Sequence, residues 1–512
     1  MNECFLGIDI GTTACKTILF TADGRIVAKA ATEYSVQYPK PDWAEQDPDV
    51  WWNATRTNIS AILKKAGRSH RLIGIGVDSQ REAVVAIDSR GRKLGNSLIW
   101  LDKRTIPTAQ RMAKLLSATD VLRITGVPMD YFYSAPKILW LKEAHQKLFE
   151  KATCLLFPKD YVTFRLTGQK STDPSMASRT MLFDIMKRKW SEKICYALDI
   201  DVGLLPKVVG SSEVVGEVTS RGAFLTGLRA GIPVVSGGGD RPCESLGAGV
   251  TKLGQFNIGT GTATCMTTPL TTPMVDAKGH VDCCCHVIPN MWEHEIVVIT
   301  TGASLRWFRD AFCSEEVERS KKTGVDPYVY LDNLAANVKA GSDGLLFYPY
   351  PLGSKAPKFN DHAKGVFFGI TLSHTKAHAV RSIFEGIAFQ YAEAIGLEED
   401  MGIKVKEASI VGGEARSNLW NQIKTNVLAR PVHRPKIEEA AALGSAILAS
   451  VGTGTHKTLG KAVNQMVTLA KTYRPHARTV ATYRSVYKRY QNVYHAIENG
   501  YAAYSETSAQ FG

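Results

Sequence analysis

A short segment occurs twice in the chain, once near the start of each half. Residues 8–14 read IDIGTTA and residues 256–263 read FNIGTGTA. Each copy combines an apolar run, a Gly-Thr turn and a second apolar run, which is the pattern of a β-hairpin. The copies are separated by nearly half of the 512 residues. The sequence therefore predicts two related halves that each begin with the same hairpin.

Strand and helix signals alternate along the rest of the chain, which favours an α/β architecture. We place the break between the halves after the segment GGGDRPCESLGAG, so the predicted domains are 1–248 and 249–512. Apolar residues between 380 and 395 recur at the spacing of a buried helical stripe. Tyrosines at helical spacing between 483 and 494 predict a further helix whose aromatic face packs in the core.

Composition excludes several classes of protein. The chain is 44% hydrophobic and 22% charged, as folded proteins are, which excludes a mainly disordered chain. No apolar run approaches the roughly 20 residues that cross a bilayer, and no secretory signal is recognisable. The ten cysteines lack C-x-x-C spacing, so we expect reduced thiols in a cytoplasmic protein. The segment CCCH at 283–286 could suggest zinc, but neighbouring strand residues point to opposite faces, which favours a structural role.

The chain is basic, with 62 Lys and Arg against 49 Asp and Glu and a formal charge of +13. Such an excess fits a nucleic acid, a membrane surface or an anionic small molecule. The basic residues are scattered, with only short runs such as MKRK at 186–189. We therefore expect no nucleic-acid or membrane partner.

The two Gly-Thr turns are candidate phosphate sites. A tight turn exposes backbone N–H groups and hydroxyls to a phosphate, and a lysine nearby adds charge. Asp9, at the end of the first strand, could hold a divalent cation. The spacing differs from a Walker A loop, and an ordinary hairpin turn is the alternative. The predicted phosphate-binding residues are Gly11, Thr12, Thr13, Lys16, Gly259, Thr260 and Gly261.

Three further segments carry side chains suited to chemistry. In VVSGGGDRP, Asp240 follows a glycine turn and suits a general base, although a turn aspartate that caps a backbone N–H is the alternative. SQRE and IWLDKR place polar groups after strands, as recognition of hydroxyl groups requires; the alternative is surface charge at strand ends. In IVGGEARSN, the glycines allow a flat group such as adenine to approach. The residues concerned are Gln80, Arg81, Glu82, Trp100, Asp102, Gly412, Gly413 and Asn418.

Taken together, these motifs resemble the FGGY carbohydrate kinases, which include glycerol kinases and xylulose kinases. The resemblance extends over nearly the whole chain and keeps the order of the motifs. They are DIGTTACK, WAEQDPDVWW, SQRE, IWLDKR, YSAPKILWL, ASRTMLFDI, GGGD, NIGTG, APKFNDHAKGVFFGIT, FEG, VGGEARSN and AAALGSAILA.

The resemblance implies an α/β fold of two ribonuclease-H-like domains, as in the actin-like ATPases, around a central cleft. It implies ATP and Mg²⁺ as cofactors, Asp240 as the catalytic base and Asp9 near the metal. Gln80, Arg81, Glu82 and Asp102 fall where members bind their sugar or polyol. The positions that resemble the family's phosphate and nucleotide contacts are Thr13, Lys16, Thr260, Gly261, Gly302, Gly413 and Asn418.

The substrate pocket departs from both subgroups. Phe132 occupies the position of a substrate-contacting tyrosine of glycerol kinases, and Arg241 stands where they have glutamine and xylulose kinases asparagine. Arg81 and Glu82 match glycerol kinases, whereas xylulose kinases have Met-His there. Arg241 could meet an extra oxygen or carboxylate of a longer or acidic sugar, but pairing with Glu244 is the favoured interpretation.

The resulting expectation is an ATP-dependent phosphotransferase that acts on a hydroxyl, usually a terminal primary one, of an open-chain sugar or polyol such as xylulose or a related ketose. Glycerol kinase is the alternative. From another class, a non-metabolic actin-like or chaperone-like ATPase is disfavoured, because it would not need hydroxyl-binding groups in its cleft. The expected partners are the substrate and ATP, and a homodimer is left open.

Overall fold

The computed structural model describes residues 2–67, 69–356 and 358–508, and it confirms the predicted α/β class. The strands are β1 (Asn2–Ile10), β2 (Ala14–Thr21), β3 (Ile26–Glu33), β4 (Glu45–Gln46), β5 (His70–Ser79), β6 (Val85–Ile87), β7 (Ser97–Leu98), β8 (Cys154–Leu156), β9 (Ser171–Thr172), β10 (Phe183–Asp184), β11 (Lys189–Trp190), β12 (Lys207–Val208), β13 (Val214–Glu217), β14 (Pro233–Val235), β15 (Gly238–Gly239), β16 (Gln255–Thr260), β17 (Thr264–Leu270), β18 (Asp282–Cys285), β19 (Trp292–Val298), β20 (Leu346–Tyr348), β21 (Val366–Phe368), β22 (Glu407–Gly412), β23 (Val432–Pro435) and β24 (Leu469–Tyr473).

The helices connect these strands. They are α1 (Pro48–Ala66), α2 (Ile106–Leu115), α3 (Ala118–Thr125), α4 (Ser134–Ala144), α5 (Gln146–Phe149), α6 (Pro158–Thr167), α7 (Pro174–Ala177), α8 (Glu192–Ala197), α9 (Ser220–Thr226), α10 (Asp240–Gly247), α11 (Thr301–Phe312), α12 (Ser314–Thr323), α13 (Pro327–Ala336), α14 (Lys376–Asp400), α15 (Asn418–Leu428), α16 (Ala440–Gly452), α17 (Leu459–Met466) and α18 (Ala477–Ser508). Short 3₁₀ segments lie at Ser178–Thr180, Val202–Leu204, Ser342–Gly344 and Gly413–Arg416.

The chain forms two compact units. The first unit comprises Met1–Lys252, Pro269–His294 and Glu439–Thr468. The second unit comprises Leu253–Thr268, Glu295–Glu438 and Leu469–Gly512. A single cut after residue 248 therefore does not describe the division, because two later segments return to the first unit.

The first unit is built on a sheet with strand order β13-β14-β5-β1-β2-β3, and β15 pairs with β5. Strand β1 runs antiparallel to β2 and parallel to β5, and β15 is also parallel to β5. In this register Asp9 lies opposite Lys16 on one side and opposite Asp78 on the other. Because parallel strands end at the same edge of a sheet, Asp9, Asp78 and the residue after β15, Asp240, come together there.

Helix α16 packs closely on this sheet. It contacts β1, β5 and α10, and the Ser445 hydroxyl donates to Asp78 at 2.6 Å. Glycine in the strands permits this approach: a Cβ at residue 76 would lie 2.0 Å from the carbonyl oxygen of Ser445. The C-terminal part of the chain thus completes the core of the first unit.

The second unit repeats the opening topology of the first. Strand β16 is antiparallel to β17 and parallel to β22, as β1 is to β2 and β5. The neighbouring strands follow the order β19-β17-β16-β22-β23-β24. The predicted repetition of the hairpin is confirmed.

The two predicted helices of the second half are present as α14 and α18. Tyr483, Tyr490 and Tyr494 of α18 are buried, and the Tyr490 ring stacks on Tyr348 with centroids 4.4 Å apart. The aromatic stripe therefore packs in the core, as the spacing predicts.

The cysteines are buried and reduced, including Cys283, Cys284 and Cys285 in β18. Within the described ranges, no three His, Cys, Asp or Glu side chains are grouped so that they could hold a metal ion by themselves. Nor does the described part of the chain contain a helix of the length and apolarity needed to cross a membrane.

Candidate active site

Three carboxylates meet at the edge of the first unit's sheet. Asp78 is fully buried, whereas Asp9 and Asp240 are partly accessible. Burial raises the pKa of Asp9 to about 6, against the lowering effect of Lys16 and with a further rise from the charge of Asp240. Burial, and then the charge of Asp9, raise the pKa of Asp78 well above its usual range. Burial and mutual proximity thus both disfavour the ionised forms of Asp9 and Asp78.

Such a cluster suits a hard divalent cation. Mg²⁺ binds through one or two carboxylates and keeps its remaining positions for water and phosphate oxygens. Two partly accessible carboxylates, Asp9 and Asp240, beside a third that is buried provide this donor set. The residues present therefore fit the metal that the family resemblance implies.

Asp240 is the first residue of α10, so the glycine turn leads into a helix. Its Oδ1 accepts a hydrogen bond from the backbone N–H of Arg241 at 2.9 Å and lies 3.2 Å from Nε of Arg81. Arg81 is only 5% exposed, so this ion pair is sheltered from water on one side. Arg241 Nη1 donates to Glu244 Oε2 at 3.1 Å, which is the pairing that the sequence favoured.

A second group joins residues that the sequence assigned to different ligands. The Thr12 hydroxyl donates to Gln80 Oε1 at 3.1 Å and accepts from Trp100 Nε1 at 2.9 Å. Gln46 connects the same residues, because its Nε2 donates to the Thr12 carbonyl and its Oε1 accepts from Gln80 Nε2. The Gly-Thr turn after β1 is therefore hydrogen-bonded directly to Gln80, the second residue of SQRE.

Glu82, the last residue of that motif, takes part in a buried ion-pair cluster. Glu82 Oε1 accepts from Arg179 Nε at 2.7 Å, and Arg179 Nη1 donates to Asp282 Oδ2 at 2.6 Å. Tyr133 OH also donates to Asp282, at 3.1 Å. Phe132 lies beside the cluster and contacts the Trp100 ring edge-on, with centroids 6.1 Å apart.

Asp102 is fully buried and held inside the protein. It accepts from the backbone N–H of Ala44 at 2.7 Å, and Arg104 Nη2 lies 2.7 Å from its Oδ2. The Arg104 guanidinium stacks 3.6 Å above the Trp43 ring. These contacts give Asp102 a structural role, and its contact with a polyol stays a prediction.

The other turn residues of the first unit lie on the surface. Thr13 and Lys16 are exposed, and Gly11 is partly exposed. The Gly11 N–H donates to the Ala14 carbonyl at 3.0 Å, which closes the turn. The charge of Lys16 lowers the pKa of Asp9.

In the second unit, the predicted nucleotide residues surround the end of β16. The Thr260 hydroxyl donates to the Val411 carbonyl at 2.6 Å and accepts from the Glu414 N–H at 3.2 Å. Gly412 has φ of 87°, and a Cβ there would lie 2.0 Å from the Thr260 carbonyl oxygen, so this turn requires glycine. Gly259 is buried in β16 and Gly261 follows it on the surface.

The remaining predicted positions lie at helix starts in the same unit. Gly302 is in the first turn of α11, and the N–H of Ala303 donates to the Thr262 carbonyl at 3.1 Å. Gly413 begins the 3₁₀ segment. Asn418 begins α15, and its Oδ1 accepts from Tyr473 OH at 2.6 Å.

Sequence reasoning missed several residues of the first unit's site: Asp78, Tyr133, Lys137, Arg179 and Asp282. Asp78 directly precedes the motif SQRE, so its place at a strand end was a usable signal. Arg179 and Tyr133 lie in motifs that supported the family resemblance, but nothing local indicates their partners. Asp282 directly precedes the CCCH segment that suggested zinc, and its partner Arg179 is 103 positions away.

Comparison with known proteins identifies the family of the chain. The N-terminal domain model of the FGGY family of carbohydrate kinases matches residues 4–247, and the C-terminal domain model matches residues 256–453. The chain is 30% identical to a xylulose kinase of Bacillus subtilis over 486 residues, 95% of each chain. It is 31% identical to a gluconokinase of the same organism over 487 residues, 95% of this chain and 94% of the relative.

Among solved structures, a gluconate kinase from Lactobacillus acidophilus aligns with a TM-score of 0.89 at 25% identity, covering 98% of this chain and 100% of the other. A ligand-bound xylulose kinase from the same organism aligns with a TM-score of 0.88 at 25% identity, with the same coverage. Both family models and both full-length relatives lead to one conclusion. The chain is a carbohydrate kinase and belongs to the FGGY family.

Proposed function

We propose that this carbohydrate kinase transfers the γ-phosphate of ATP to a terminal primary hydroxyl of an open-chain ketose, xylulose or a related sugar, with Asp240 as general base. The observation that carries the proposal is the position of Asp240. Its carboxylate is partly accessible at the start of α10 and is paired with the buried Arg81 at 3.2 Å. It also lies at the strand edge that presents Asp9 and Asp78.

Phosphoryl transfer depends mainly on positioning and on charge stabilisation. Asp240 takes the proton from the attacking hydroxyl as the new O–P bond forms. Arg81 orients the carboxylate through their ion pair. The backbone N–H of Arg241 fixes the same oxygen, so the base has little rotational freedom.

Asp9 would hold Mg²⁺, which would neutralise charge on the phosphate oxygens. In the first unit, the contacts proposed for the phosphates are those of Lys16 and the Thr13 hydroxyl. In the second unit, the contacts proposed for the nucleotide are those of Thr260, Gly261, Gly302, Gly413 and Asn418. The support for these assignments is the family resemblance and the close-packed glycine turns at β16 and β22.

Hydroxyl recognition is assigned to the polar residues after β5. Gln80, Arg81 and Glu82 are nearly fully buried, yet they follow a strand end. Trp100 is 36% exposed and packs against Phe132, so the two rings form a wall beside them. A site built to hydrogen-bond a hydroxyl rejects ligands that lack the matching group.

A sugar acid is the second candidate acceptor. Arg241 is one-third exposed and follows the proposed base directly, where its charge would favour a carboxylate. The gluconokinase relatives make this acceptor worth testing. Glycerol remains a third, because the Arg81-Glu82 pair resembles that of glycerol kinases.

The acceptor is identified by ADP release in the presence of Mg²⁺ and ATP with xylulose, ribulose, gluconate, glycerol or erythritol. The proposal expects the highest kcat/KM with a ketose. Preference for gluconate, together with a selective loss of gluconate turnover in Arg241→Gln, would replace the ketose by the sugar acid. Equal losses for neutral and acidic acceptors would restrict Arg241 to its pairing with Glu244.

Replacement of the proposed base tests the mechanism. Asp240→Asn should lower kcat by about 10²–10⁴-fold, because the hydroxyl loses its proton acceptor. Calorimetric titration should show that MgADP binding is retained within a few-fold. Asp23→Asn is the matched control, since Asp23 is an exposed aspartate of the same unit. Near-normal kcat in Asp240→Asn would remove Asp240 from the mechanism.

A further inference from the structure

Arg179 lies at the centre of a buried cluster whose members come from distant parts of the first unit. Its side chain is only 4% exposed. Nε donates to Glu82 at 2.7 Å and Nη1 donates to Asp282 at 2.6 Å, so one guanidinium holds two carboxylates. Tyr133 OH adds a hydrogen bond to the same oxygen of Asp282. The partners of Arg179 are 97 and 103 positions away along the chain.

The Arg179 guanidinium also lies against two neighbouring aromatic rings. Its central carbon lies 5.7 Å from the Phe132 ring centroid and 5.0 Å from that of Tyr133. Lys137 holds the same segment from behind, because its ammonium donates to the carbonyls of Phe132 and Tyr133. The position of the Phe132 ring therefore depends on the Arg179 guanidinium and on the hydrogen bonds of Lys137.

Glu82 needs such support, because its backbone is strained. Its φ is 65°, a conformation that costs a residue with a side chain free energy and persists only when neighbouring contacts impose it. The Ser134 hydroxyl donates to the Glu82 carbonyl at 3.2 Å, and Arg179 holds the carboxylate. Backbone and side chain of Glu82 are thus both fixed by residues around the Phe132 segment.

The identity of the cation matters to this arrangement. A guanidinium offers several N–H donors in one rigid plane, whereas an ammonium is a compact point charge. Bridging two carboxylates while lying against two aromatic rings uses that plane. A lysine would keep the charge but not the relative orientation of Glu82 and Asp282.

We propose that Arg179 is a positioning residue for the acceptor substrate: it fixes the Glu82 carboxylate and the Phe132 ring in the orientation in which they meet the substrate hydroxyls. The inference rests on the proposed function, since it assumes that Glu82 binds the acceptor. It assigns Arg179 no contact with ATP.

The test compares Arg179→Lys, Arg179→Gln, Glu82→Gln and the double variant Glu82→Gln/Arg179→Gln with the wild type, using the best acceptor of the panel. We expect Arg179→Lys to lower kcat/KM for the acceptor by about 10–100-fold, because small misplacements of binding groups cost up to about 10²-fold. The loss should fall mainly on KM for the acceptor, while KM for ATP changes less than about twofold. The double variant should lose no more than the worse single variant, since the two residues act as one unit.

Arg165→Lys is the matched control. Arg165 pairs with Asp49 at 2.8 Å and lies over the Trp52 ring in the same unit, away from the proposed site residues. Its kcat/KM should stay near the wild-type value. Thermal unfolding of each variant checks that the fold is retained, and Arg179→Lys carries the test if Arg179→Gln does not fold.

Wild-type kinetics in Arg179→Lys would refute the inference, because charge alone would then suffice. Multiplicative losses in the double variant would refute it as well. In both cases an active wild-type enzyme leaves the proposed function standing. Absence of turnover by the wild type with every acceptor would overturn the proposed function, and this inference with it.

Discussion

The carboxylate of Asp9 lies between Lys16 on one neighbouring strand and Asp78 on the other. Burial raises its pKa from 3.8 to about 6, so the folded protein holds this proton more tightly than the unfolded chain does. The resulting stabilisation is fully present below pH 3.8 and is lost as pH rises through 6. At pH 7–8, the ionised Asp9 therefore costs the fold free energy.

Asp9→Asn should consequently be more stable than the wild type at pH 8, by about 1–3 kcal/mol, and less active. The difference in unfolding free energy should shrink towards pH 4, where the wild-type carboxyl is protonated. Urea unfolding between pH 4 and 8 measures the stability, and Mg²⁺-dependent turnover measures the activity. A variant that is less stable than the wild type at pH 8 would contradict the assigned charge conflict.

The pKa of Lys137 is shifted by burial in the opposite direction from that of Asp9. Its side chain is fully buried beneath the Phe132 segment. Burial lowers its pKa from 10.5 to about 8, although the charges of Glu82 and Asp102 act against the shift. The unfolded chain thus binds more protons between pH 8 and 10.5, and stability attributable to this group rises with pH over that window.

Comparison with Lys137→Met isolates this contribution. Relative to the variant, the unfolding free energy of the wild type should rise by roughly 3 kcal/mol between pH 8 and 10.5 and stay level below pH 7. Denaturant unfolding of both proteins across this range measures the difference. The exposed Lys187 provides a control, since Lys187→Met should run parallel to the wild type. A parallel course of Lys137→Met would show that Lys137 titrates normally.

Residues that belong to local motifs were the predictable ones. Asp9 and Asp240 follow apolar strands and adjoin glycine turns, so the sequence alone indicated their place at a strand edge. Lys137 and Arg179 were not predictable as parts of the site, because their partners are set by tertiary packing. The same reason explains why Asp102 could be singled out but its ion pair with Arg104 could not.

Among the secondary-structure elements, α16 has the tightest contacts with the sheet. Its backbone approaches β1 and β5 at Gly7 and Gly76, and α10 at Gly247. Close packing of this kind leaves no room for a methyl group, and overpacking typically costs 1–3 kcal/mol. Gly396 in the interior of α14 differs, because nothing lies within 4 Å of the position of its Cβ.

Gly76→Ala should therefore destabilise the protein by at least about 2 kcal/mol, since the atom it meets is the backbone oxygen of Ser445. Gly396→Ala should stabilise it by about 0.5–1 kcal/mol through better helix propensity. Thermal unfolding of the two variants provides the comparison. Equal effects would mean that α16 can move away from β5 at little cost.

The repeated hairpins were predictable at this scale because both strands and the turn of each hairpin are contiguous in the sequence. The docking of α16 was not. The Ser445 and Asp78 pair, which joins α16 to β5, is separated by 367 positions. The small residues of AAALGSAILA predict close packing of this helix, but they do not indicate which surface it packs against.

For the whole molecule, the segmentation of the first unit has a direct consequence for fragments. Residues 439–468, which contain α16 and α17, belong to that unit although they lie near the end of the chain. A fragment that ends at residue 252 lacks the helix that covers β1 and β5. It would expose apolar surface that the intact unit buries.

Residues 1–252 alone should therefore show no cooperative thermal transition and should bind hydrophobic dyes. Appending residues 439–468 through a flexible linker should restore part of the cooperativity. Circular dichroism measures the thermal transition and dye fluorescence measures exposed apolar surface, each with the full chain as the reference. A sharp transition in the shorter fragment would show that α16 is dispensable for this core.

The late return of the chain to its first unit also affects synthesis. Ribosomes add about 5–20 residues per second, and about 200 residues separate residue 252 from the segment that carries α16. The exposed strands around Asp9 and Asp78 must thus wait roughly 10–40 s for their covering helix. Because apolar surface of these strands stays exposed during that interval, codon changes that slow translation between these points should lower the soluble yield.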